Sequence, residues 1–395
     1  MHHDVSQRRV SLLTIAREWG RIGLIGFGGP PAHITLLREL CVRRRGWVPA
    51  RDFEDGIAAA NLLPGPASTQ LAILNAWWLR GAWGAVVGGV CFILPGLVMI
   101  LALAALFLAG DPPRWVNGAA AGAGSAVAAV AVQAGWQMVP DSRRRTTGRR
   151  ARARWAGYVT AGVLAAVLLG AWLVLVLIAA GLAEVAVRGV RRCREPAPPG
   201  GNARLWLLLA AVPVSAGLAS LSALTWVAYK VGALSYGGGF VIIPLMRADA
   251  VGAHGWMTDG QFLNAVALGQ ITPGPVVQTM AVVGYAAAGI GGGLLASLVA
   301  FGPSFLLIVL GGHQLERLRA MPAVQAFFDG AGPAVIGAIL GSAVPLALAL
   351  RHPWQWGLLG LAAVLLLVLR RGVVATLLVA GALGVAAAQA GWAVT

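Results

Sequence analysis

Of the 395 residues 58% are hydrophobic and only 11% are charged, less than half of the roughly 25% charge carried by soluble domains, which excludes a water-soluble fold. The formal net charge of +16 does not point to nucleic acid, because arginine falls in short runs between apolar segments, at 43–45, 143–145 and 191–192, as in cytoplasmic loops. Three cysteines (Cys41, Cys91, Cys193) without CxxC spacing, and no HExxH pattern, support neither a disulfide framework nor a metal or cofactor site.

In chain order, residues 1–9 are polar and no short apolar stretch with a cleavage site follows, so no cleaved signal peptide is expected. Apolar but interrupted segments occupy 20–37 and 57–79. Stretches long enough to cross a bilayer core, which takes about 20 residues, follow at 81–110 and 115–139, with two more within 155–187. After a basic loop at 188–204 comes a linking span at 205–229. Interrupted segments return at 231–245 and 263–286, and spans at 289–312, 323–350, 354–369 and 373–392 complete the chain.

That order is a repeat. An offset of 209 positions aligns Gly23 with Gly232, Gly28 and Gly29 with Gly237 and Gly238, Gly46 and Trp47 with Gly255 and Trp256, and Phe53 with Phe262. The same ungapped register sets Pro64-Gly65-Pro66 on Pro273-Gly274-Pro275 and continues to Phe92 on Phe301; Asn117-Gly118 then answers Asp329-Gly330 at 212. Positive-inside bias puts the first loop of half one, 43–51, in the cytoplasm, whereas its counterpart 247–261 holds Asp249 and Asp259 against one arginine and is expected outside.

The expected fold class is an all-α integral membrane protein with two inverted-topology repeats of about six helical segments each, joined by a linking transmembrane helix. The repeats occupy 1–190 and 230–395, with a basic loop and the linker at 191–229. Nine full spans plus four re-entrant or broken helices give a cytoplasmic N-terminus and an external C-terminus. The alternative of thirteen crossings puts 38–51 outside.

Broken helices at membrane depth are tolerated only where they are buried in protein or line a cavity. The matched breakers, Gly28-Gly29 with Gly237-Gly238 and the two Pro-Gly-Pro motifs, therefore point to one central site where helix N-termini could meet an anion. Lys230, the only lysine, has Arg21 as its repeat partner. Each would either help neutralise a dianion or snorkel to an interface. Asn61 and Gln270 stand three residues before the Pro-Gly-Pro motifs, while Thr69-Gln70 and Gln278-Thr279 follow them, as donors to oxyanion oxygens or to opened backbone. Arg38 and Arg247 form another matched pair, for which surface ion pairing is expected. No Ser-His-Asp or Cys-His spacing and no phosphate loop suggests an enzyme.

From Lys230 through Gly237-Gly238-Gly239, Gly255-Trp256 and Gln270-Ile271-Thr272-Pro273-Gly274-Pro275, echoed by Gly26-Phe27-Gly28-Gly29-Pro30-Pro31 and Asn61-Leu62-Leu63-Pro64-Gly65-Pro66, the chain resembles the chromate ion transporter family in its long, two-domain form. The resemblance implies a carrier of the bacterial cytoplasmic membrane that exports chromate on the proton motive force, with sulfate as structural competitor. A homodimer is compatible with it. The chain departs from the family pattern at Pro30 where half two has Gly239, at Asn61 where a glutamine is usual, and at the acid displaced to Asp249.

Overall fold

The computed structural model describes residues 10–60, 65–108, 112–144, 146–169, 172–189, 219–235, 242–311 and 321–394, and these residues form an all-α membrane protein. The elements of half one are α1 (Leu12–Ile25), α2 (Pro30–Arg38) running into a π turn (Glu39–Arg44), α3 (Ala50–Ala60), α4 (Ala67–Phe107), α5 (Arg114–Arg144), α6 (Arg149–Leu168) and α7 (Leu173–Val187). Half two has α8 (Ala219–Leu234), α9 (Ile242–Arg247) with a π turn (Ala248–Ala253), α10 (Asp259–Ile271), and a 3-10 turn (Val276–Gln278) leading into α11 (Thr279–Gly311). It closes with α12 (Pro322–Leu348), α13 (Pro353–Ala363) with its own π turn (Val364–Val368), and α14 (Val373–Gln389).

The 41-residue α4 is two helices folded back on each other. Arg80 and Gly81 leave helical dihedrals, Gly81 with φ +61°, a left-handed value that glycine adopts at no steric cost. Beyond this turn a Cβ on Gly84 would fall 2.2 Å from the Ala76 carbonyl oxygen, and one on Gly89 would fall 2.8 Å from Ile73. The short arm α4a (67–79) therefore lies antiparallel to the long arm α4b (82–107). In half two, Ala288 and Gly289 (φ +63°) make the same turn, with Gly284 packed on Gly292. At 1.5 Å per residue α4a is about 20 Å long and cannot cross the bilayer, whereas α4b, at about 39 Å, can.

α3 runs against α4a, with Gly56 on Trp78 and Leu71, and Gly65 and Pro66 of the first Pro-Gly-Pro motif lead into α4a. Beyond α2 the chain returns to the flank of α1, where Arg45 pairs with Glu18 at 2.8 Å and Trp47 stacks on Trp19 at 6.5 Å. The described parts of the segments 20–37 and 57–79 are thus broken helices whose arms fold back toward one another.

One register expectation is corrected. The turns at Arg80-Gly81 and Ala288-Gly289 are 208 apart rather than 209, and the carbonyl oxygen facing Gly232 belongs to Ala300, where Phe92 faces Gly23. Phe92 therefore corresponds to Ala300, not Phe301. Half two is one residue shorter just after Pro275, where its helix starts as a three-residue 3-10 turn while α4a starts as an α-helix. Three residues rising about 2.0 Å each span the same ~6 Å as four rising 1.5 Å, so the tighter start absorbs the deletion.

The halves interlock. α4b and the long arm of α11, α11b (290–311), pack antiparallel, with Gly89 against Phe305 and Gly293 against Leu101. α5 of half one lies on α14 of half two through Gly118, Gly122 and Gly384, while α12 of half two lies on α6 and α7 of half one through Gly162, Gly337 and Gly330. The division at 229/230 falls inside the continuous helix α8, and of the expected linking span 205–229 residues 205–218 lie outside the described residues.

These contacts have no room for a side chain. A Cβ on Gly162 would sit 1.9 Å from the Ala334 carbonyl oxygen, whereas Gly157 on the same helix has open space. Gly162→Val is expected to lower the thermal midpoint in detergent by a loss of about 1–3 kcal/mol, and Gly157→Val to leave it within error; equal midpoints would refute the α6–α12 interface.

Candidate functional site

Gly96 of α4b lies about 22 Å along the helix from the turn at Gly81, deep in a bilayer core of roughly 30 Å. The Pro-Gly-Pro turn of half two packs there. A Cβ on Gly96 would fall 2.1 Å from the Pro273 carbonyl oxygen, and Gln278 Nε2 donates to the Ile93 carbonyl at 2.6 Å. The arrangement is crossed, since Gly65 of half one faces Ser304 Oγ of α11b and its own Gln70. Each Pro-Gly-Pro turn thus seats on the long arm of the other half.

A backbone hydrogen bond joins the motifs directly. The Gly274 N–H donates to the Gly26 carbonyl at 3.1 Å, and Gly29 stands against Val276. The same Gly26 carbonyl, at the broken end of α1, receives His33 Nε2 at 2.8 Å, while His33 Nδ1 lies 3.2 Å from Ser68 Oγ at the start of α4a. His33 is fully buried, with the Phe92 ring edge-on at 5.0 Å.

Around these turns buried polar atoms lack partners among the described residues: Thr69 Oγ1, Ser235 Oγ, Gln270 Nε2, Gln278 Oε1 and Ser304 Oγ. Each such atom costs on the order of 1–3 kcal/mol when left bare, so a concentration of them in one place marks room for a polar guest. Backbone donors add to it. Among the described residues the N–H groups of Ala67, Ser68 and Thr69 at the start of α4a have no backbone acceptor, Gln70 N being the first to bond back, to Pro66 O. α2 is a poorer anion end than its broken start suggests, because Pro30 and Pro31 have no N–H to give.

The expected site residues fare differently. Gly28, Gly29, Gly65, Pro66, Gln270, Pro273, Gly274 and Pro275 all lie at the described turns. Asn61, Pro64, Gly237 and Gly238 lie outside the described residues. Lys230 is ion-paired with Asp249 at 2.5 Å, both largely buried. Its repeat partner Arg21 is exposed on α1, so the structure does not gather the two cations at one centre. The acid displaced to Asp249 is what holds Lys230; half one has Leu40 at that position. Arg38 and Arg247 are ion-paired, with Glu54 and Asp259 rather than with the acids that follow them in sequence.

Ser68, Ser304 and His33 escaped the sequence reading. Ser304 follows Pro303 as Gly96 follows Pro95, a match visible only at offset 208. His33 carried a signal in its place, one turn after two prolines at a helix start.

A cavity of about 690 Å³ leads to the turns from one face. Its inner end is lined by Pro30, Pro31 and Ala67 and its mouth by Arg154, Tyr158, Glu184, Arg188 and Asp329. At the mouth Glu184 accepts from Arg154 (2.9 and 3.0 Å), Arg188 (2.8 Å) and Tyr158 (3.1 Å), and Arg188 reaches Asp329 at 3.0 Å, which ties α6 and α7 to α12. Toward the opposite face a separate pocket of about 230 Å³ is lined mostly by apolar residues such as Phe107, Leu268 and Leu377, with Asn264.

The family model described as Chromate transporter matches residues 13–185 and 222–385. A chromate transport protein of Cupriavidus metallidurans is 33% identical over 346 residues, 83% of this chain and 80% of that one. A probable chromate transport protein of Synechococcus elongatus is 28% identical, with 90% and 89% of the chains covered, and a chromate transport protein of Pseudomonas aeruginosa is 30% identical, with 83% and 79% covered. No solved structure matches the chain.

Removing one partner of a buried ion pair costs roughly 3–5 kcal/mol because the other charge is stranded. Lys230→Ala should therefore destabilise the protein, and Lys230→Ala/Asp249→Ala should recover most of the thermal midpoint together with transport. A double variant that is stable yet inactive would instead place Lys230 on the substrate.

Proposed function

Since the chain belongs to the chromate transporter family, we propose that it is a secondary carrier that moves chromate out of the cytoplasm, with its anion site at the two crossed Pro-Gly-Pro turns. The observation that carries this reading is the gathering of bare buried donors and acceptors at those turns, at the inner end of a cavity. Hydroxyls, amides and free helix N–H groups can hold a tetrahedral dianion by hydrogen bonds alone. The site offers no feature that separates chromate from sulfate, and sulfate is the natural competitor.

The antiparallel packing of α4b on α11b supports two repeats of opposite orientation, the arrangement from which alternating access arises. The face carrying the cavity mouth also carries Arg143, Arg144 and Arg149 to Arg154, so positive-inside bias makes it cytoplasmic. The protein then lies in the bacterial inner membrane with its N-terminus inside and its C-terminus outside. The larger cavity opens on that cytoplasmic face, the side from which a carrier loads for export. Export of a dianion is favoured by an inside-negative potential, at about 2.3 kcal/mol per charge per 100 mV, and this electrical part of the proton motive force acts without any further ion.

Labelled chromate supplied to energised inside-out vesicles should accumulate, in competition with sulfate, and an uncoupler should abolish uptake. Uptake no greater than in vesicles lacking the protein would refute chromate export. Thr69→Val and Ser304→Ala each remove one donor to a charged guest, worth about 1.5–3 kcal/mol, so initial rates should fall on the order of tenfold or more at unchanged protein level. Orientation has its own check. In a cysteine-free background, Gly332→Cys on the cavity wall should react with a membrane-impermeant thiol reagent in inside-out vesicles and stay unreacted in right-side-out ones.

A further inference from the structure

We propose that the anion leaves on the outer side between α10 and the helix pair α5 and α14, where the pocket of about 230 Å³ is the closed form of the exit. The inference rests on the carrier and the anion site proposed above. It starts from how the helices group. α1, α4, α8 and α11 pack on one another, with the Pro-Gly-Pro turns at the starts of α4 and α11, while α5, α6, α7, α12, α13 and α14 form a second group. Between the groups the broadest packing among the described residues is α10 on α5. A Cβ on Gly124 of α5 would fall 3.1 Å from Asn264 Oδ1 and 3.3 Å from the Cβ of Leu263, both on α10.

The repeat counterparts of these residues stand differently. Leu263 and Asn264 answer to Glu54 and Asp55 at the 209 offset, and both acids are exposed on α3, which packs on α4. Ala120 and Gly124 answer to Gly332 and Ile336 at 212, and these line the cavity of about 690 Å³. Among the described residues a Cβ on Gly332 would meet nothing within 4 Å. Packing secures the 212 register, since Gly118 and Gly330 each lie on the last helix of the other half, α14 and α7. One interface, built twice, is therefore joined in half two and open in half one. In inverted repeats an exchange of those two states opens the outer side as the inner side closes.

The pocket has the character of a closed exit. Ala120 and Ala123 of α5, Leu268 and Ile271 of α10 and Gly381 of α14 line it, with Asn264 as the polar side chain. Ile271 stands two residues before Pro273, so the inner end of the pocket adjoins the second turn. Close apolar contact excludes a hydrated anion while the helices touch. Once they part, one amide that can donate and walls that cannot give a departing anion little to hold, and conduction requires weak binding on the way out.

The test follows labelled chromate uptake into energised inside-out vesicles by the full-length protein with Gly124→Cys/Leu263→Cys in a background otherwise free of cysteine. The two Cβ positions, 3.3 Å apart, are close to the roughly 3.5–4.5 Å of a disulfide, so mild oxidation should join α5 to α10. Uptake measured after the oxidant is washed away should fall at least tenfold and return once the bridge is reduced and the reductant removed. Gly20→Cys, paired with the native Cys91 at a Cβ separation of 4.0 Å, bridges α1 to α4b inside one group, and its oxidation should leave uptake unchanged. A second measurement needs no bridge. Ala120→Cys alone, in energised right-side-out vesicles, should react with a membrane-impermeant thiol reagent several-fold faster when the vesicles are loaded with chromate. Equal uptake with the α5–α10 bridge formed and broken overturns the exit while the carrier stands, and so does a reaction rate at Ala120→Cys that ignores chromate. Equal loss of uptake with both bridges overturns the movement of one group against the other, and the exit with it. Wild-type vesicles that take up no chromate overturn the carrier itself.

Discussion

A polypeptide that stops being helical inside a bilayer leaves N–H and C=O groups with no water to satisfy them, and each must find a partner within the protein. This chain breaks its helices at matched places in both halves and meets the demand crosswise. The end of α1 accepts from Gly274 of the other half, and Gln278 reaches the Ile93 carbonyl on the long arm of α4. Neither Pro-Gly-Pro turn rests on its own half alone. The geometry of the site is consequently a property of both halves, and a shift of one relative to the other must re-aim every donor at the centre.

The glycines make that proximity possible. Where Gly23 and Gly232 meet α4b and α11b, a Cβ would lie 2.0–2.3 Å from a carbonyl oxygen, so helix backbones approach more closely than any other residue permits, as in membrane helix pairs generally. The mouth is built on the opposite logic. Arg154, Arg188, Glu184 and Asp329 join three helices by charge where the cavity opens, and the two acids offset the two arginines.

Much of this was legible in the sequence because it follows from one-dimensional signals. Hydropathy located the four helices that are long and apolar enough to cross a membrane, and the breakers located the turns that fall within the described residues. What was hidden depended on contacts across the chain. The ungapped register failed after Pro275 because a 3-10 start and an α start cover equal length with unequal residue counts, a substitution no spacing rule reports. Lys230 and Arg21 occupy matched positions but meet different neighbours, Asp249 for one and exposure for the other, since repeat symmetry binds the backbone more tightly than the side chains. Ser304 and His33 are single polar residues in apolar segments, and their meaning comes from elements far away in sequence.

The exchange of α5 and α12 between the halves bears on how the molecule is made. α5 leaves the ribosome with a face that α14, the last helix described, eventually covers, and the whole of half two is synthesised in between. Until then its glycine-lined surface faces lipid or the insertion machinery. The translation order thus fixes an assembly order in which the closing step is the docking of the C-terminal hairpin of α13 and α14 on a helix inserted early. Quality control that monitors that one event can distinguish a finished carrier from a chain whose spans have all crossed the membrane but which has not yet become a single structure.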